Sequence, residues 1–201
     1  MSNVAKIIFF DVGNVFLTYD HVFDTVQKDL GLDKEFFRSY DKYDNDAMLG
    51  KLLIPDIWQK VCHENNRTQD SKYKLIQSWV SDYEPIVPMH QLAKLLKSKY
   101  ELAILSNLYI DFWSEISKQN FVPPEINFSP VIISAEVGYI KPDPQIYELA
   151  EVKSGFTGAQ IFFIDDKAEN IDEATRHGWQ TFLFDYTNPE ISANELQSIL
   201  I

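Results

Sequence analysis

Apolar residues fall along this chain in short continuous runs separated by longer amphipathic stretches. Lys6 to Phe10 opens the pattern, an apolar run ended by Asp11 and the turn-forming pair Gly13-Asn14. So short a continuous run predicts a strand covered on both faces, as in a parallel sheet. Four further runs share this character: ELAIL at 101–105, PVII at 130–133, QIFFI at 160–164 and QTFLF at 180–184. Between them the period lengthens to that of a helix in DFWSEISKQ from Asp111, PQIYELAEVK from Pro144 and AENIDEATRHG from Ala168, with Gly178 as a stop. Strand alternating with helix predicts an α/β fold built on a doubly wound, Rossmann-like parallel sheet.

Residues 17–88 interrupt the alternation. HVFDTVQKDL, PDIWQKVCHE and KYKLIQSWVSDY are helical in period, and no convincing strand lies among them. The segment reads as a helical insertion between the first and second strands. It leaves the sheet at a strand's carboxyl end, which is where ligands bind in such sheets, so it is a candidate lid. The acid-rich YDKYDND at 40–46 lacks the Gly and distal Glu of a calcium loop and reads as a solvated turn.

Composition narrows the class. With 201 residues, 45% of them apolar and 14% aromatic, the chain can bury one good core. Its 30 acidic against 18 basic side chains work against binding a phosphate backbone, so a nucleic-acid partner is not expected. Cys62 is the single cysteine, which removes an internal disulfide and a cysteine metal cage and reads as a buried apolar side chain. The apolar run before Asp11 is too short for a signal-peptide core or a membrane span, so a cytoplasmic protein without a membrane partner is expected.

The chemistry gathers at strand ends. Asp11 follows the first predicted strand and Asp165-Asp166 the fourth, so neighbouring parallel strands would bring these carboxylates to one edge of the sheet. Like charges in a crevice repel, and oxygen-only ligands suit Mg²⁺ as the remedy. Ser106-Asn107 follows ELAIL, and Lys141 sits in GYIKPDP, where Pro142 would begin a helix. Singly, each residue has a plain structural role as N-cap, turn or solvated lysine. Their order argues for a site: strand-Asp, strand-Ser-Asn, Lys-Pro, strand-Asp-Asp-x-x-x-Asn.

That ordered set resembles the haloacid dehalogenase superfamily over nearly the whole chain. In the superfamily an apolar strand ends in Asp, a second ends in Ser or Thr, a Lys follows, and an acidic pair or cluster completes the site. Asp11, Ser106, Lys141 and Asp165-Asp166 with Asn170 match these positions. Residues 17–88 resemble the type-1 helical cap, which makes 1–16 and 89–201 the core. FFDVGNVF, SNLY, GYIKPDPQIY and FFIDDKAENI are similar to the subgroup containing sugar-1-phosphate phosphatases.

The resemblance implies an Mg²⁺-dependent phosphomonoester hydrolase acting on a small phosphorylated metabolite, such as a sugar phosphate. Asp11 would be the nucleophile that forms an aspartyl phosphate. Asp11, the Gly13 carbonyl and Asp166 would hold the metal, with the order of Asp165 and Asp166 open. Ser106, Asn107 and Lys141 would bind the phosphate, while Asp165 orients Lys141 or a metal-bound water and Asn170 supports from behind. Gly13 departs from the pattern, because most phosphatases of the superfamily carry there a second Asp that protonates the leaving group. Its absence points to leaving groups that need little protonation, such as an anomeric sugar oxygen or a phenol, or to an acid from the cap. It also raises the alternative of a metal-independent 2-haloacid dehalogenase. A separate alternative is a low-activity phosphate-binding protein, or one whose cap docks a partner through aromatics such as Trp58, Trp79, Tyr40 or Tyr43. NDAMLGKLLIPDIW, bent at Gly50, is the stretch expected to face the crevice, with Lys51 near substrate.

Overall fold

The computed structural model describes residues 5–19, 24–68 and 73–201, apart from the side chain of Lys34. The chain begins with β1 (Ile7–Phe10) and β2 (Leu17–Thr18), followed by α1 (Asp24–Leu30), α2 (Lys34–Asp41), α3 (Asp44–Met48), α4 (Ile54–Glu64) and α5 (Leu75–Val80). It returns through β3 (Glu84–Pro85) and α6 (Val87–Leu96) to β4 (Glu101–Ser106) and α7 (Phe112–Lys118). Then come β5 (Val131–Ile133), α8 (Ser134–Val137), α9 (Pro144–Ser154), β6 (Ile161–Asp165), α10 (Ala168–Arg176), β7 (Gln180–Leu183) and α11 (Pro189–Leu200). The first residues of HVFDTVQKDL and of KYKLIQSWVSDY lie outside the described residues.

The strands β5-β4-β1-β6-β7 form one parallel sheet. β1 is its centre, and alternate side chains face opposite layers, as the pleat requires. Ile7 and Phe9 pack with Ile146, Tyr147 and Ala174 of α9 and α10. Ile8 and Phe10 pack into a larger core that includes Met89 and Leu92 of α6 and Leu196 of α11, and this core continues into the helical segment. All four β1 side chains are fully buried, which is why the strand reads as an unbroken apolar run.

The structure differs from the sequence reading in three places. Leu17–Thr18 and Glu84–Pro85 pair as an antiparallel ribbon at the two ends of the helical segment, where no strand was expected. These strands are too short to carry a period. β7 is an edge strand with Leu183 half exposed, although its apolar run resembles the buried strands. Pro142 lies in a turn, and Pro144 takes the start of α9 instead. Pro142 is enclosed by a turn in which the Asp143 amide donates to the Ile140 carbonyl at 2.7 Å, so the helix starts two residues later.

The helical segment is tied to the sheet layer by close backbone contact. Gly50 has φ +69°, and a Cβ there would fall 2.0 Å from the carbonyl oxygen of Ala135, in α8. Only glycine permits both the left-handed turn and this approach. Trp58, Trp79 and Tyr40 are core residues of the segment, not a docking face, and Cys62 is buried as expected.

Candidate active site

Parallel register assembles the site. Phe10 lies level with Ile104 of β4 and Ile164 of β6, and the Asp11 amide donates to the Ile164 carbonyl at 2.9 Å. Asp11, Ser106 and Asp165 therefore emerge together at the carboxyl edge, where the strand order reverses around β1. Ser106 Oγ donates to Asp11 Oδ1 at 2.6 Å, and the Val12 amide donates to the same oxygen at 2.7 Å. Lys141 Nζ, arriving from the turn before α9, lies 3.2 Å from Asp11 Oδ1 and 2.6 Å from Asp165 Oδ2, and donates to the Leu105 carbonyl at 2.9 Å. Asp11 Oδ2 receives none of these bonds, so it is the oxygen available to a ligand.

The cluster is buried, and its charges depend on one another. Burial pushes the Asp11 carboxyl up to about 6, against the lowering effect of Lys141. Burial pulls the Lys141 ammonium down, but Asp11 and Asp165 together outweigh it and hold it above its ordinary range. Asp166 is also raised by burial, with the Asn14 hydrogen bond opposing.

The two acids after β6 are not equivalent. Both oxygens of Asp165 are saturated: besides Lys141, Asn170 Nδ2 donates to them at 2.9 and 3.0 Å and the Lys167 amide donates at 2.9 Å. Asp166 Oδ2 accepts from Asn14 Nδ2 at 2.9 Å, whereas its Oδ1 is buried with no hydrogen-bond partner among the described residues. An unsatisfied buried carboxylate oxygen is costly and calls for a ligand. Oxygens of Asp11, Asp165 and Asp166 all lie within 4.8 Å of one another, a hard-oxygen set that fits a small divalent cation such as Mg²⁺.

The remaining expected residues land as follows. Asn107 lines the cavity above Asp11, but its carboxamide is committed to the Lys141 backbone, accepting from the amide at 2.9 Å and donating to the carbonyl at 2.9 Å. It positions Lys141, a role its place after a strand did not signal. Asn170 holds Asp165. Lys51 is exposed and pairs with Asp46 at 3.3 Å, away from the crevice. The expected stretch contributes Met48 to the cavity instead.

Two residues escaped the sequence reading. Asn14 adopts φ +55°, a left-handed turn that asparagine tolerates, and thereby reaches Asp166. The Gly-Asn pair was the available signal. Tyr19 lies over Gly13, so that a Cβ at Gly13 would fall 2.7 Å from its ring carbon Cε1. Its phenol oxygen accepts from Asn14 Nδ2 at 3.3 Å, and burial pushes its ionisation well up. Nothing local in FLTY marks that position.

A cavity of about 360 Å³ opens above this edge. The sheet edge contributes Asp11, Gly13, Asn107 and Lys167, and the helical segment contributes Tyr40, Asp41, Asp44, Met48 and Trp79. The site thus lies between the sheet layer and the inserted helices.

No protein-family model matches the chain. Among solved structures, a HAD family enzyme of Bacteroides thetaiotaomicron in complex with magnesium and inorganic phosphate superposes with a TM-score of 0.71 at 20% identity, covering 90% of this chain and 95% of that one. A HAD-like family hydrolase of Porphyromonas gingivalis matches with a TM-score of 0.67 at 20% identity, over 89% of this chain and 90% of that one. The L-2-haloacid dehalogenase of Xanthobacter autotrophicus, with chloropropionic acid covalently bound, matches with a TM-score of 0.65 at 16% identity, over 89% and 76%. The parallel sheet centred on β1 and its helical layers are therefore the fold that these HAD family and haloacid dehalogenase structures share.

Proposed function

We propose that the protein is an Mg²⁺-dependent phosphomonoester hydrolase using Asp11 as nucleophile, with residues 17–88 acting as its cap. The observation that carries this reading is the unequal pair at the end of β6, where Asp165 is consumed by Lys141 and Asn170 while buried Asp166 Oδ1 has no hydrogen-bond partner among the described residues. A dehalogenase without metal would leave that oxygen unsatisfied. The B. thetaiotaomicron structure with magnesium and phosphate supports the same reading by shared fold.

Asp11, Asp166 and the Gly13 carbonyl would hold the cation, which when bound supplies charge neutralisation between carboxylate and phosphate dianion. Ser106, the Val12 amide and Lys141 fix Asp11 through Oδ1 and leave Oδ2 to attack phosphorus in line. The bond from phosphorus to the leaving oxygen breaks and an aspartyl phosphate forms. Water then attacks the phosphoryl group, releasing inorganic phosphate and restoring the carboxylate. Positioning and charge clamping supply most of the catalysis in such transfers.

Gly13 and the dehalogenase neighbour favour a second reading, hydrolysis of a 2-haloacid through an ester on Asp11. One experiment separates the two. Hydrolysis of p-nitrophenyl phosphate in Mg²⁺ is expected to vanish with EDTA, to return on adding Mg²⁺, and to be absent in Asp11→Asn. EDTA-resistant chloride release from 2-chloropropionate, with no phosphate release, would replace this reading by the second.

A further inference from the structure

The direction of the Tyr19 hydroxyl follows from the neighbour it shares with Asp166. An ionised carboxylate only accepts, so the nitrogen of the Asn14 carboxamide is the atom that faces Asp166 Oδ2, 2.9 Å away. The second hydrogen of that nitrogen goes to the Tyr19 phenol oxygen at 3.3 Å. Tyr19 Oη therefore accepts from Asn14, and its own proton finds no acceptor within hydrogen-bond distance among the described residues.

Other donors around the cavity are spent. The Tyr109 hydroxyl donates to Asp44, the Asn107 amide to the Lys141 carbonyl and the Asn170 amide to Asp165. Tyr19 is only half-buried and lines the cavity with Asp11 and Gly13. Its ring lies where a side chain at position 13 would begin, since a Cβ there would fall 2.7 Å from Cε1. Burial, reinforced by the charges of Asp166 and Asp11, pushes the phenol's ionisation well up, so the hydroxyl keeps its proton at neutral pH.

The reaction has a use for such a donor. Ser106, the Val12 amide and Lys141 all hold Asp11 Oδ1, so they serve the nucleophile and not the oxygen that departs. In-line displacement puts the leaving oxygen on the far side of phosphorus from Asp11 Oδ2, in the cavity. Negative charge develops there as the bond breaks, and a donor fixed in advance stabilises it without reorganising.

We infer that Tyr19 is a catalytic residue whose hydroxyl donates a hydrogen bond to the ester oxygen leaving phosphorus. The inference rests on the phosphomonoesterase reading above and deepens it. The phosphorus–oxygen bond breaks with its electron pair staying on the leaving oxygen, Tyr19 holds that charge, and the alcohol takes its proton from water as it departs. Asn14 serves both partners, one N–H orienting Asp166 and the other fixing Tyr19. The help scales with the charge to be held. It is small for an acidic nitrophenol and larger for phenol itself, with a pKa of about 10. It is largest for an aliphatic alcohol, closer to the value of about 16 for water.

The test compares the unaltered protein, Tyr19→Phe and Lys167→Met, each saturated with Mg²⁺, on p-nitrophenyl, phenyl and ethyl phosphate. Tyr19→Phe keeps the ring over Gly13 and removes only the hydroxyl. It is expected to lower kcat/KM for every ester, by a factor that grows with leaving-group pKa and reaches about 10²–10³ for ethyl phosphate, the scale of losing one positioned donor. Its Mg²⁺ concentration for half-maximal activity should not move, because the bond from Asn14 to Asp166 remains. Lys167 is an exposed lysine lining the same cavity, and Lys167→Met should change all three esters by a common factor. An equal loss on all three esters in Tyr19→Phe, no loss on any, or a graded loss in Lys167→Met instead would overturn the role of Tyr19 and leave the phosphatase reading standing. Hydrolysis of no ester by the unaltered protein, or hydrolysis that survives Asp11→Asn, would overturn both.

Discussion

Lys141 shows how much of the site rests on single side chains. Its ammonium is wholly buried between Asp11 and Asp165, and removing it leaves two carboxylates facing each other without a counter-charge. Lys141→Met is expected to abolish turnover and to cost about 3–5 kcal/mol of stability, read by urea denaturation, because a broken buried pair strands its partners. Asn14 carries a subtler load, since it fixes Asp166 from a left-handed turn. Asn14→Gly keeps that backbone accessible and deletes only the amide. The Mg²⁺ concentration for half-maximal activity should then rise about 10–100-fold with the fold intact, the usual cost of losing a partner that orients a metal ligand. Tyr19 and Gly13 form a steric pair. Gly13→Asp alone should gain little on alkyl phosphates because the Tyr19 ring occupies the new side chain's space. Gly13→Asp combined with Tyr19→Ala should gain more, measured as kcat/KM for an alkyl phosphate.

Elements meet where backbone packs on backbone. Gly50 lets the turn after α3 press on α8, and Gly50→Ala would combine a left-handed strain with a clash against the Ala135 carbonyl. A loss of about 2 kcal/mol or more is expected in denaturant midpoints, since strain and overpacking each cost about 1–3 kcal/mol. α6 brings His90 against the Phe16 carbonyl at 3.0 Å, and burial holds this imidazole below its ordinary pKa. The unfolded chain therefore binds the proton first as pH falls, and stability drops below the unfolded value of about 6.5. His90→Gln should flatten that part of the stability-pH curve. The same elements show what pattern reading reaches. β1 and β6 were legible because burial on both faces leaves a continuous apolar run. The ribbon of β2 and β3 was not, because two-residue strands have no period.

Taken whole, the molecule carries a net charge of −12, and the proposed phosphatase would have to draw a phosphate dianion to an edge that holds Asp11, Asp165 and Asp166. Long-range repulsion should slow capture at low salt. kcat/KM for a dianionic ester at saturating Mg²⁺ is expected to rise between low ionic strength and about 0.15 M, where the Debye length falls to about 8 Å. Local pattern, read along the chain, already set the parallel sheet and put Asp11, Ser106 and Asp165 at strand ends, because hydrophobic period and chain order are properties of neighbouring residues. It could not say which of two adjacent acids would be saturated or that Tyr19 would cover Gly13. Those outcomes depend on contacts between distant segments, such as Asn14 with Asp166 across 152 residues, and only the packing of the inserted helices against the sheet brings such partners together.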